Sequence, residues 1–466
     1  MKRGTTTSAV LWSFTERYFL AICFALVPVV ARAQASLSPP AELKVPRPQI
    51  RLIEPGLQLP IDLPTALRLA SAHNLDILAA KTELAEAEAR KDQSLGRLLP
   101  QPYTTTLFFG QKTTGQTQGV FADLGNNSFH RINPAGGAEL GLNPGQAVFD
   151  LLASYRTLDA TAHDTAQVGQ NVLAQVAIHY FRLEQAAAGV EIAEESLKAS
   201  KELERVAETR ESLGRGLKLD VMRAQARVAN DQVRLSQAGQ AVRDASVALA
   251  LTLKLDPEIT LFPLVETVRQ RTFVDPSIAL GGLISRALES RPALKGARER
   301  VAAAENTRRA AWAHALVPSI YTNFQENNVS PSADHQFYTG SIGLQFSVAS
   351  LGGAWEAASE AERARILQEK IHQQAEADVI SARDAVLTAE EEVESALSAM
   401  HAAQAALELS QTRFTNGVGI ELDVLDSGAA KVEAQTNLVA AIVGYNFAQV
   451  NLLLALGDVS PESLAR

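Results

Sequence analysis

Between Ala354 and Phe414 the chain runs for 61 residues without a glycine or a proline. Along the second part of that stretch a large apolar residue returns every seven positions, at Val379, Val386, Val393, Met400, Leu407 and Phe414. Three residues after each of the first five comes a small one: Ala382, Ala389, Ala396, Ala403 and Ser410. A heptad of alternating large and small core positions marks helices that lie close together along their length. At 1.5 Å per residue, a helix of this extent is about 90 Å long. No compact globule of this mass needs such a rod, so the pattern predicts an elongated coiled-coil protein.

The pattern is written twice. Shifted back by 203 residues it reads Val176, Leu183, Val190 and Leu197, with Ala186, Ala193, Ser200 and Ala207 between. Each run ends in a related turn, TRESLGRGLKLDVMRAQ at 209–225 and TRFTNGVGIELDVLDSG at 412–428. Beyond the turn the heptad resumes, as Val221, Val228, Leu235, Val242 and Leu249 in one copy. In the other it resumes as Val424, Leu438, Tyr445 and Leu452, with Lys431 out of pattern. No proline falls between Gly145 and Asp256 or between Gly353 and Ser460, so each stretch predicts two helices joined at the turn. Two shorter helices are expected over Thr65–Leu99 and Leu283–Leu316, stopped by Pro100 and Pro318. Ala85, Ala87 and Glu88 of the first match Ala302, Ala304 and Glu305 of the second. The chain thus reads as one unit repeated, 65–257 and 283–458, with a connector at 258–282 and a tail at 459–466.

The opening residues differ in kind. Lys2, Arg3 and Arg17 precede an apolar run, Tyr18–Val30, and then Ala31-Arg32-Ala33. That is the build of a cleaved export signal over 1–33. The lone cysteine, Cys23, lies inside it; lipidation there is disfavoured by the bulk of Ile22. Without that segment no thiol remains, so disulfides are excluded and packing alone must hold the fold. Residues 34–64 carry seven prolines and are expected to form an extended linker. The net charge is −9, and losing the basic leader makes the remainder more acidic, which argues against nucleic acid as a partner. No stretch after residue 33 has 18 consecutive apolar residues, so any membrane crossing is expected to use strands.

Four strand regions lie between the helices. Tyr338–Val348 alternates, with Ile342, Leu344, Phe346 and Val348 on one face and Thr339, Ser341, Gln345 and Ser347 on the other. Its length suits a tilted membrane strand. Ile320–Gln325 alternates as well, while Tyr103–Gly110 and Ala138–Leu142 are weaker candidates. Four strands cannot close a barrel, and open edges in lipid leave backbone groups unsatisfied. Two readings follow: a soluble sheet packed on the coils, or a membrane sheet completed by sister chains.

RFTNGVGIELDVLDSG, followed by a coil ending LLLALG, resembles the tip turn of the TolC-type outer-membrane efflux proteins, and the twofold helix–strand–helix plan resembles them over nearly the whole chain after the leader. The resemblance implies a mainly α fold with a membrane β-barrel portion. Three chains would share a twelve-stranded barrel above an α-helical barrel that crosses the periplasm. The implied function is a passive export duct of a tripartite efflux or type I secretion system, with an adaptor protein and an inner-membrane transporter as partners and outer-membrane lipid around the strands. The rival is a soluble periplasmic coiled-coil scaffold. By position, Gly214 and Gly417 match the family's turn glycine, and Gly216 and Gly419 complete tips expected to dock the adaptor or pump. Asp423 and Asp426 match aspartates that face the closed mouth, where three chains would form an acidic ring selective for cations. Asp423 also suits the first turn of a helix, where the dipole favours a carboxylate, and Asp220 in the first copy supports that reading. The strand-to-helix corners, VFDLL at 148–152 and ASLGG at 349–353, depart from the family's usual Leu-Phe-Asp-Gly-Gly.

The eight histidines show no helical metal spacing, and no phosphate loop, nucleophile elbow or HExxH motif is present. No enzyme, cofactor or metal is therefore expected. His179 falls at a small core position, and the run Glu390, Glu391, Glu392 and Glu394 reads as a solvated helix face or, alternatively, a duct lining.

Overall fold

The computed structural model describes residues 58–112, 128–214, 216–264, 268–328, 336–346 and 350–464. The expected leader, residues 34–57 of the linker, Arg215 and Val348 lie outside them. In chain order the elements are β1 (Gln58–Ile61), α1 (Leu63–His73), α2 (Leu75–Gly96), β2 (Gln101–Lys112), β3 (Ser128–Leu142), α3 (Pro144–Ser212), α4 (Lys218–Leu253) and β4 (Thr260–Pro263). Then come α5 (Leu280–Ser290), α6 (Pro292–Leu316), β5 (Ser319–Asn328), β6 (Gln336–Gln345), α7 (Ser350–Thr415), α8 (Glu421–Leu456) and the short α9 (Pro461–Leu464).

The long helices form as the heptads require. α3 has 69 residues and α7 has 66, each followed through a tip turn by a 36-residue partner, α4 or α8. Val176, Leu183, Val379, Val386, Leu249 and Leu452 are fully buried, and Ala193, Ser200 and Ala207 fill the small positions. Burial is tightest at mid-length, where α1, α3, α4, α5, α7 and α8 share one core with the strand pair β1–β4. Between there and the tip, Val393, Met400 and Leu407 are only half-buried. The irregular heptad position, Lys431, is explained by a partner: its ammonium reaches Glu195 Oε1 on α3 at 2.8 Å.

The two shorter helices each break where one rod was expected. Asn74 ends α1 and caps α2, its Oδ1 accepting from the amides of Asp76 and Ile77 while its Nδ2 donates to the Thr252 carbonyl. The second break, at Arg291, precedes Pro292, which takes the first position of α6, where a proline loses no hydrogen bond. Asn74 and Arg291 differ by the same 217 residues that relate the two alanine-rich stretches.

Two regions read as linker and connector carry regular structure. β1 pairs in parallel with β4, Leu59 opposite Leu261. Downstream of β4, the segment 271–274 is held on α8 by two buried amides. Asn446 Oδ1 accepts from Arg271 N, and its Nδ2 donates to the Arg269 carbonyl. Gln449 Oε1 accepts from both Phe273 N and Val274 N, and its Nε2 donates to the Val274 carbonyl. Arg271 adds an ion pair to Glu184 on α3, where burial pushes that carboxyl's pKa up and Arg271 holds it down. α8 is long and apolar enough to cross a membrane by length and composition, but half of its most apolar stretch is buried in this coil.

The second sheet has the order β2–β3–β5–β6, antiparallel throughout. All four strands exceed or shift from their expected bounds, β3 most of all, because Pro134, Gly136 and Gly137 obscure its alternation. The helices below follow the same order: α2 packs on α3, α3 on α6, and α6 on α7. Strand order and helix order therefore agree. At the β3–α3 corner stands Asn143, whose Oδ1 caps Gln146 N and whose Nδ2 donates to the Val317 carbonyl at 2.6 Å, where α6 meets β5.

Replacing Gln449 with leucine leaves the Phe273 and Val274 amides buried and unpaired. The expected result is a loss of about 1–3 kcal/mol in stability, seen in chemical denaturation, with new protease cleavage within 268–279.

Candidate functional site

Two surfaces stand out: the tips of the helix hairpins and the four-stranded sheet. At each tip two glycines do different work. Gly214 and Gly417 adopt left-handed backbone, φ +71° and +77°, which a side chain disfavours. Gly216 and Gly419 instead press against the end of the incoming helix. A Cβ on Gly216 would lie 2.9 Å from the Glu211 amide nitrogen, and one on Gly419 would lie 3.0 Å from that of Phe414. The incoming helix is closed by Gly214 N donating to the Glu211 carbonyl in one tip, and by Val418 N and Gly419 N donating to the Arg413 carbonyl in the other.

The three aspartates sit on the helices leaving the tips, in unequal surroundings. Asp423 is exposed in the first turn of α8, which has no side-chain cap at Ile420, so the helix dipole acts on it directly. Asp426, one turn on, is exposed as well. Asp220, in the first turn of α4, is half-buried and turned toward Arg223 at 3.8 Å. That arginine occupies the place of Asp426 in the other copy.

Sequence reasoning missed a charged group buried at the start of the helix leaving the second tip. Glu421, the first residue of α8, is 5% exposed, and its Oε1 has no hydrogen-bond partner. Burial and then the neighbouring Asp220 push its pKa up to about 7, against the pull of Arg210 and Arg223. The tips also touch through Arg210 of α3. Its Nη2 donates to the Phe414 carbonyl at 3.0 Å, and its guanidinium stands 4.0 Å from the centroid of the Phe414 ring. Nothing in the heptads marks Glu421, since its counterpart is an exposed lysine, Lys218. Phe414 was legible as the last large position of its heptad, whereas nothing in the periodicity singled out Arg210.

The sheet is amphipathic by register. Residues directly opposite in antiparallel strands share a face. Ile320 faces both Leu142 and Leu344, Thr322 faces Leu140 and Ile342, and Phe324 faces Ala138 and Gly340. The alternate residues, Glu139 with Asn323 and Ser341, make the opposite face polar. Ile342 is 83% exposed and Leu344 65%. Phe346, also exposed, lies one residue past the end of β6. Among the described residues nothing pairs with the outer edges of β2 or β6. No group of three or more His, Cys, Asp or Glu converges on a metal-sized site among the described residues. His179 is half-buried, and burial followed by the nearby Arg182 lowers its pKa.

The sequence pattern of the outer membrane efflux proteins matches residues 66–253 and 283–458, more than half of the chain. Among solved structures, the fold is similar to the outer membrane channel CmeC of Campylobacter jejuni, with a TM-score of 0.74 and 15% identity over 85% of each chain. The outer membrane protein VceC of Vibrio cholerae gives 0.72 and 16%, covering 85% of this chain and 96% of that one. The open state of the Neisseria gonorrhoeae outer membrane channel MtrE gives 0.71 and 18%, covering 85% and 88%. No curated protein matches the sequence at a significant level.

Alanine at Gly417 meets the left-handed penalty of about 1–2 kcal/mol, and alanine at Gly419 meets the helix backbone. Either change should speed hydrogen exchange of the 412–425 amides by about tenfold, with the core amides of α8 unaffected.

Proposed function

We propose that three copies of this chain, which belongs to the outer membrane efflux protein family, close into one passive exit duct, with the sheet in the outer membrane and the hairpins reaching into the periplasm. The observation that carries this reading is the sheet itself. It has one apolar face, one polar face and two unpaired edges, and in hydrocarbon an unpaired edge costs several kcal/mol per exposed group. Copies joined β6 to β2 satisfy both edges at once, put Ile342, Leu344 and Phe346 toward lipid, and put Glu139, Asn323 and Ser341 toward water. Because helix order follows strand order, α7 of one copy then meets α2 of the next, and the rods close beneath the strands.

In this arrangement the hairpin tips form the periplasmic mouth. Asp423 and Asp426 are exposed on the helix leaving the second tip, and three copies bring six carboxylates to the constriction. The ring favours cations and narrows the passage. Asp220 contributes less, since Arg223 partly neutralises it. The glycine turns present the surface that an adaptor and an inner-membrane transporter would meet. The energy for export comes from that transporter, since the duct supplies only a path.

Two measurements test the proposal. The purified protein should require detergent and have three times the chain mass in native mass spectrometry; a lone chain from aqueous extract would refute the shared barrel. In planar bilayers, Asp423→Ala combined with Asp426→Ala should raise conductance and weaken cation preference. Unaltered conductance and selectivity would remove the aspartates from the mouth while leaving the barrel in place.

A further inference from the structure

The joint between the two tips contains a carboxyl group in a place that disfavours its negative charge. Glu421 is buried at the very start of α8, with one oxygen lacking any donor. The charged groups acting on it from α4 are Asp220 and Arg223, and from α3 Arg210. Asp220 and Arg223 are already turned to one another, while Arg210 is engaged by the Phe414 carbonyl and ring of α7. On its own helix Asp423 follows two residues later, a second negative charge in the same turn. The helix start favours an ionised carboxylate, whereas burial, the missing donor and Asp220 oppose it.

We propose that Glu421 is a proton-operated clasp between the two hairpin tips. Protonated, the carboxyl stays in the joint and the α7–α8 tip lies shut against the α3–α4 tip. When its proton passes to water, the carboxylate is expelled from the joint and the start of α8 loosens from α3 and α4. Acid fastens the clasp and neutral pH releases it. The sign follows from linkage. A carboxyl whose pKa is raised in the closed joint stabilises that joint fully below its ordinary value of 4.5, and this contribution is lost by about pH 7. The clasp is made within one chain and does not depend on the gate proposed for Asp423 and Asp426.

The test reads closure directly. Val424, one turn beyond Glu421, is 7% exposed, and Val418 in the turn is 74% exposed. In the full-length protein with Cys23→Ser, a cysteine placed at 424 is labelled by a methanethiosulfonate reagent, and its rate is divided by that of a cysteine placed at 418. This ratio cancels the thiol's own pH dependence. It should climb between about pH 4.5 and 7, by up to about tenfold per unit, and level off above. Glu421→Gln should hold the ratio low and flat, and Asp220→Asn should shift the plateau to lower pH. A flat ratio in the parent, the same climb in Glu421→Gln, or an unmoved plateau in Asp220→Asn would each overturn the clasp.

Discussion

Close approach of long helices, permitted by alanine and serine at every second core position, is the interaction on which this fold depends. With Ala193, Ser200 and Ala207 along α3, and Ala389 and Ser410 along α7, there is little side chain to hold the rods apart. At mid-length the valines and leucines of the other core positions, such as Val176, Leu183, Val379 and Val386, then bury fully. The chain has few aromatic residues and holds its two largest buried ones, Tyr180 and Tyr445, at mid-length. There the helices are joined by α1, α5, the β1–β4 pair and the clipped segment around Arg271 into a single core. Further toward the tips the coils are thinner and half-exposed, and cohesion passes to local contacts such as Lys431–Glu195 and Arg210–Phe414.

What the sequence disclosed followed from periodicity. The seven-residue repeat located α3, α4, α7 and α8, and the duplicated turn located both tips, because these signals are sustained over tens of residues. The strand signal was weaker in proportion to its length. Ile342 and Leu344 were assigned to one face, and the register places them there together with Leu142 and Ile320. The full span of β3 was hidden by its glycines and proline: Gly136 and Gly137 are paired on both sides, while Pro134 lies beyond the β5 register and pairs with β2 alone.

Single-residue devices were invisible, for a common reason. Asn74, Asn143, Asn446 and Gln449 each satisfy the backbone of a segment more than 170 residues away. An amide side chain on a helix carries no mark of such a partner. Glu421 is a similar case, since the same residue type on the same helix would be an ordinary first-turn carboxylate were it not buried beside Asp220. The break at Asn74, by contrast, was within reach: an asparagine followed by leucine and aspartate is a plausible cap, overlooked because the surrounding stretch is so strongly helix-forming.

The corner at Asn143 has a mechanical meaning. A single residue separates β3 from α3, and its amide ties that corner to the junction of α6 and β5. With no compliant hinge between ribbon and rod, torque applied at one end is carried along a helix of roughly 100 Å and delivered to the strands as a change of tilt. At this corner ribbon and rod move as one piece, because one asparagine bolts two elements together.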